Sequence, residues 1–165
     1  MHEDPTVFQG ISTKLHAETI SSLIAKFEAK SLLDYGCGKG HQYKKDNLHI
    51  KYFNGVMPAL YDIGVPEFDE LPTGKFDGVI STDVLEHIPE SQLDEVLKEI
   101  YNKATKFVYL GICDKLAIKT LPNGENAHCT VHPIEWWMDK IYPFAKVYTV
   151  INTYGTADKT ITIER

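Results

Sequence analysis

"SLLDYGCGKG", residues 31–40, carries a short apolar run with one acid straight into three alternating glycines, Gly36, Gly38 and Gly40. An apolar run cut off by glycines reads as a buried strand rather than as part of a helix. Glycines that follow a strand and lead into a helix let the backbone approach a ligand closely, with free N–H groups turned towards it. The spacing G-x-G-x-G differs from the G-x-G-x-x-G of a pyrophosphate-binding turn, and no Lys-Ser or Lys-Thr pair follows for a phosphate-cradling loop. A nucleotide-like ligand without a phosphate chain is the expectation.

Working outwards, "TKLHAETISSLIAKFEAK" ahead of this turn places Ile20, Leu23, Ile24 and Phe27 at helical spacing, so an amphipathic helix precedes the first strand. A second strand is expected in "PALYDIG", ending near Asp62, and a third in "FDGVIST", which the chain leaves at Asp83. Leu93, Val96, Leu97 and Ile100 mark a helix that opens at Pro89, where a missing N–H costs nothing. "KFVYLGI" makes a fourth strand. Residues 113–132, with Pro122, Asn123 and Gly124, form a long loop, "PIEWWMDKIY" a short helix, and the last 20 residues two strands turning at Gly155. Strand–helix alternation closed by a hairpin predicts a three-layer α/β fold, its sheet mostly parallel with an antiparallel C-terminal edge.

The 165 residues, 43% hydrophobic and 24% charged, fit one domain spanning residues 1–165. No apolar run approaches the roughly 18–20 residues of a membrane helix, and "MHEDPTVFQG" lacks the features of a secretory signal, so a cytoplasmic address is expected and membrane insertion is not. Three dispersed cysteines make neither a disulfide framework nor a zinc knuckle. A net charge of −6 and a lone arginine, Arg165, argue against a broad grip on nucleic acid. Oligomeric state is not legible.

"LLDYGCGKG" resembles the first motif of class I S-adenosylmethionine-dependent methyltransferases, and "FDGVISTDVLEHIPE" resembles their fourth-strand segment. The resemblance covers roughly residues 10–112 and implies a Rossmann-like methyltransferase sheet with S-adenosyl-L-methionine as cofactor. It puts Gly36, Gly38 and Gly40 beneath the methionine part of that cofactor, Asp34 near its ammonium group and the backbone around Asp83 at the same end. Asp62, 22 residues beyond Gly40, matches the acid that accepts hydrogen bonds from the ribose hydroxyls, or else an adenine-side acid, and Tyr61 lines the adenine or ribose pocket. The stretch between Gly40 and "FDGV" is shorter than the family's, so a helix or strand is trimmed there.

Methyl transfer from a sulfonium is an in-line displacement that needs an aligned acceptor and, for a hydroxyl or protonated amine, a base. His128 in "NGENAHCTVHP" and His87 in "DVLEHIP" are the candidate bases. Asn126, Glu86 and Trp137 are the expected substrate contacts, one of the adjacent Trp136 and Trp137 packing the helix while the other walls the acceptor pocket. The leading expectation is transfer to a small-molecule or compact polar acceptor, with no metal. A second constellation, Asp83, Glu86 and His87 with His128 or His132, would instead hold a divalent ion, in likeness to metal-supported 2′-O-methyltransferases of small RNA ends and to ubiquinone-pathway O-methyltransferases. A third reading is a cofactor-binding module without catalysis.

Overall fold

The computed structural model describes residues 9–165. A 3-10 turn (Ser12–His16) leads into α1 (Ala17–Lys26), whose Ala17, Ile20, Leu23 and Ile24 are buried at the spacing the sequence displays. β1 (Leu32–Tyr35) follows, then two short helices, α2 (His41–Lys44) and α3 (Leu48–Tyr52), then β2 (Ala59–Tyr61). β3 (Phe76–Thr82), a 3-10 turn (Leu85–His87), α4 (Glu90–Lys103), β4 (Ala104–Cys113), α5 (Ile134–Ile141), β5 (Tyr148–Tyr154) and β6 (Lys159–Ile163) complete the order.

The six strands lie in the order β2-β1-β3-β4-β5-β6, all parallel except β6, which runs antiparallel to β5. Two cores explain the layering. On one face Leu32, Ile80, Phe107 and Tyr109 pack with α1 and with Tyr43, Leu48 and Phe53 of the α2–α3 region. On the other, Leu33, Val79, Val108, Leu110 and Ile151 meet Leu93, Leu97 and Ile100 of α4 and Ile134, Trp137 and Ile141 of α5. Alternate strand residues thus serve opposite faces, which makes a three-layer, Rossmann-like α/β fold. Each fully buried large side chain of this kind contributes roughly 1.5–3 kcal/mol, so the three α5 anchors alone hold that short helix to the sheet.

The connections after β1 and β3 run to opposite sides of a reversal in strand order, and in open α/β sheets ligands bind in the crevice at that reversal. The carboxyl ends of β1 and β3 are therefore where a site should lie. Among the described residues no helix is long and apolar enough to cross a membrane.

Candidate functional site

The glycine turn after β1 is built differently from the sequence expectation. Gly36, Gly38 and Gly40 all take positive φ, at 85°, 56° and 65°. Yet the turn's amides are spent inside the protein: Gly36 and Cys37 donate to the Tyr61 carbonyl, Gly40 to Cys37, and His41 and Gln42 to the carbonyls of Gln9 and Gly10. Gly38 N–H donates to Asp62 Oδ2 at 2.8 Å. The expected free N–H groups are thus a correction: with these donors taken, the turn offers a ligand a smooth floor and not an anion nest. Gly36 is demanded by packing, since a Cβ there would sit 2.2 Å from Val84 Cγ2.

Asp34 is the second correction. Its carboxylate is buried under the turn and accepts from Tyr43 Oη at 2.6 Å and Gln42 Nε2 at 3.1 Å. It does not line the cavity above, because the strand's alternation turns it into the α2 side of the sheet. Burial pushes its pKa up to about 7, with the Tyr43 and Gln42 hydrogen bonds pulling down and Asp62 pushing up.

Above the turn opens a cavity of about 1120 Å³. Pockets for drug-sized ligands run to roughly 300–1,000 Å³, so this one lies just above the top of that range and takes a large ligand. Gly36 and Gly38 form its floor, Tyr61 and Asp62 one side, Thr82, Asp83 and Val84 the other, and Ala127 to Cys129 of the loop after β4 an upper wall. Asp62 accepts from Gly38 and, through Oδ1, from Gly64 at 2.9 Å, which fixes the carboxylate and leaves two of its lone-pair positions for a ligand. Five carboxylates line this space (Asp62, Asp83, Glu95, Glu99 and Glu125), and among the described residues no lysine or arginine does. A polyphosphate would meet repulsion here, and a cation would be drawn in.

The segment Gln9–Ser12 closes the cavity from the side and was not foreseen from the sequence. It is locked down by Gly10, whose absent Cβ would lie 2.1 Å from the Cys37 carbonyl oxygen, and by Thr13 Oγ1, 2.9 Å from Thr82 Oγ1. Gly10 had no motif around it, and its partners are distant in sequence.

At the other end lies a carboxylate–imidazole cluster. Ligating atoms of Glu86, His87 and His128 all fall within 4.8 Å of one another. His87 Nδ1–H donates to the Ala127 carbonyl at 2.8 Å, and His128 Nδ1–H to the Lys115 carbonyl at 2.6 Å. Carbonyls only accept, so in the neutral form each ring carries its lone pair on Nε2, the arrangement of a metal ligand with its outer partner or of a general base. Burial holds His87 below its ordinary pKa and so neutral near pH 7. Glu86 is 0% exposed; Oε1 accepts from the Cys113 N–H at 2.9 Å, while Oε2 is buried with no donor. Burial first, and then the charge of Asp83, hold its carboxyl well above the usual range. Asp83, at φ 56°, is itself pushed up by burial and eased by Glu86, His128 and Ser12. Such an oxygen either carries a proton towards Asp83 or faces a cation.

The three expected substrate contacts do not line the cavity, Glu86 because it is fully buried beside it. Trp137 is 0% exposed in the core and Trp136 stacks on His132 at 3.9 Å, so neither ring walls the cavity. Helical spacing alone could not say which tryptophan turns inwards. Asn126 pins the loop, accepting from the Ala117 and His128 N–H groups and donating to the Ala117 carbonyl; it supports His128 without reaching the cavity. His132 is held by Glu90 at 2.7 Å and leaves the cluster to His128. No protein-family model matches the chain, and no curated protein sequence does.

Proposed function

We propose that the chain is a cytoplasmic S-adenosylmethionine-dependent methyltransferase acting on a small-molecule or compact polar acceptor. One observation carries this reading: a large cavity at the strand-order reversal, floored by glycines and walled by carboxylates with no lysine or arginine among the described residues. That chemistry suits a cofactor with a sulfonium and an ammonium group and disfavours a polyphosphate or a nucleic acid end. Asp62 and the Tyr61 ring then face the ribose, and Asp83 and the glycine turn the methionine end. The acceptor lies towards His87 and His128, whose Nε2 lone pairs take up the proton as the methyl group moves in line from sulfur.

The buried, donorless Oε2 of Glu86 beside two imidazoles fixed from behind favours a second reading of the same end, in which Glu86, His87 and His128 hold a divalent cation. When bound there, the ion supplies polarisation of an acceptor hydroxyl.

Calorimetry with S-adenosylmethionine and S-adenosylhomocysteine is the first test, and binding of neither overturns the proposal. Turnover over a panel of hydroxyl and amine acceptors, with an RNA 3′ end as one arm, then separates an enzyme from a binding module. Loss of that turnover on chelation, with recovery on adding Mg²⁺, Mn²⁺ or Zn²⁺, selects the metal reading; indifference to chelation selects the histidine base alone.

A further inference from the structure

Crossovers that feed parallel strands ordinarily carry a helix, and parallel sheets are ordinarily covered on both faces. Here the connection from β2 to β3, residues 62–75, carries none. It is tied to the far end of α4 by Lys103 Nζ, which donates to the Pro72 carbonyl at 2.6 Å. The face of β1 and β2 beside α4 is therefore covered by irregular chain, Leu71 included, and not by a helix, and the cavity reaches Tyr35 and Tyr61 there. Tyr35 and Tyr61 form the floor, and Gln92, Glu95, Val96 and Glu99, one stripe of α4, form the wall. None of the methyl-transfer chemistry above uses the wall or Tyr35.

Two separate features give this lobe a chemical preference. The wall is anionic: Glu99 Oε1 is fixed by Tyr35 Oη at 2.5 Å, one turn along α4 from Glu95. The floor holds a polar group that takes no partner from the protein. Tyr61 is 8% exposed, yet its hydroxyl has no hydrogen-bond partner among the described residues and opens into the cavity. Burial first, then the charges of Glu99, Asp62 and Asp69, push that hydroxyl's pKa up, so it stays a neutral phenol surrounded by carboxylates. A phenolic oxygen between carboxylates is complementary to a donor with positive charge, and the faces of the tyrosine rings attract an organic cation.

We propose that this lobe binds an organic ammonium group, the cationic end of the methyl acceptor, between Glu95, Glu99 and the Tyr61 hydroxyl. That it belongs to an acceptor rests on the methyltransferase reading; the preference for ammonium does not. Charge here selects the partner, since a carboxylate in the same place would be repelled by the wall.

The test uses three phenols whose short para side chains differ chiefly in charge: tyramine, 4-ethylphenol and 4-hydroxyphenylacetate. Calorimetry is run on the chain alone and on the chain loaded with S-adenosylhomocysteine. Tyramine is expected to bind at least about tenfold more tightly than the acid, with the neutral phenol between them and the gap narrowing as salt is added. The double variant E95Q/E99Q is expected to cut the advantage to below about threefold; Glu99→Gln keeps an acceptor for Tyr35, so the fold is preserved. Equal binding, preference for the acid, no binding of any phenol, or an undiminished advantage in the double variant overturns the proposal. Failure of S-adenosylhomocysteine to bind while the tyramine preference stands overturns the methyltransferase reading and leaves the lobe intact.

Discussion

Replacing Gly36 by alanine separates two costs that usually come together. The residue has φ 85°, and its new methyl would lie 2.2 Å from Val84 Cγ2 and 3.0 Å from Cγ1. A left-handed backbone costs a non-glycine residue roughly 1–2 kcal/mol, and forcing a methyl into filled space roughly 1–3 kcal/mol. Gly36→Ala should therefore cost about 2–5 kcal/mol. Gly74 is the internal control, with φ 83° and nothing within 4 Å of its built Cβ. Gly74→Ala should show the backbone cost alone, about 1–2 kcal/mol. Val84→Ala removes both obstructing methyls, so the pair G36A/V84A should be more stable than the sum of its singles by about 1–3 kcal/mol. Urea unfolding of the four variants and the parent, with unchanged m-values, reads all of this. The reasoning fails if Gly36→Ala costs no more than Gly74→Ala, or if the double-mutant cycle shows no coupling.

Four further outcomes are expected. Asp34 has its folded pKa raised to about 7, so its contribution to stability is full below about pH 4 and is lost as pH rises to 7; relative to Asp34→Asn the parent should lose roughly 3–4 kcal/mol across that window in urea melts, and a flat difference would reject the assignment. His16, lowered to about 4 mainly by burial, acts with the opposite sign: its contribution is full above pH 6.5 and is lost as pH falls to 4, and His16→Gln should flatten that acid limb. Asp62→Asn leaves only one acceptor oxygen for two backbone donors, so S-adenosylhomocysteine affinity should fall at least about tenfold by calorimetry. Glu86→Gln retains an acceptor for the Cys113 N–H and removes the charge; Mn²⁺ binding followed by paramagnetic broadening of the His87 and His128 ring signals should disappear in it and be present in the parent if the metal reading holds.

The succession of strands along the chain and the faces of α1 and α4 could be read from the sequence because apolar period and glycine punctuation are local signals. Leu93, Leu97 and Ile100 lie on the buried stripe of α4 as their spacing requires. The same holds for His87 and His128: "LEH" follows a strand and "NAH" lies in a long loop, and both meet at the cavity. What was not legible depends on long-range partners. The amides of the glycine turn carry no mark in the sequence that Tyr61, Gln9 and Gly10 will claim them. Asp34 sits within a motif whose spacing invites a ligand, but Gln42 and Tyr43, eight and nine residues on, take its carboxylate. Glu95 and Glu99 carry no mark in the sequence either, because only the absence of a helix between β2 and β3 turns them towards a cavity.

The strap from Gln9 to His16 has a consequence for the order in which the protein is made. It is the earliest described part of the chain, yet Thr13 bonds to Thr82 and His16 to Tyr109, 69 and 93 residues later. During synthesis this segment cannot dock until β4 has emerged. Closing such large loops costs entropy that only the assembled sheet returns. The cavity is therefore completed late, and the amides of His41 and Gln42, which the strap alone protects, mark the moment when a nascent or refolding chain becomes able to hold its ligand.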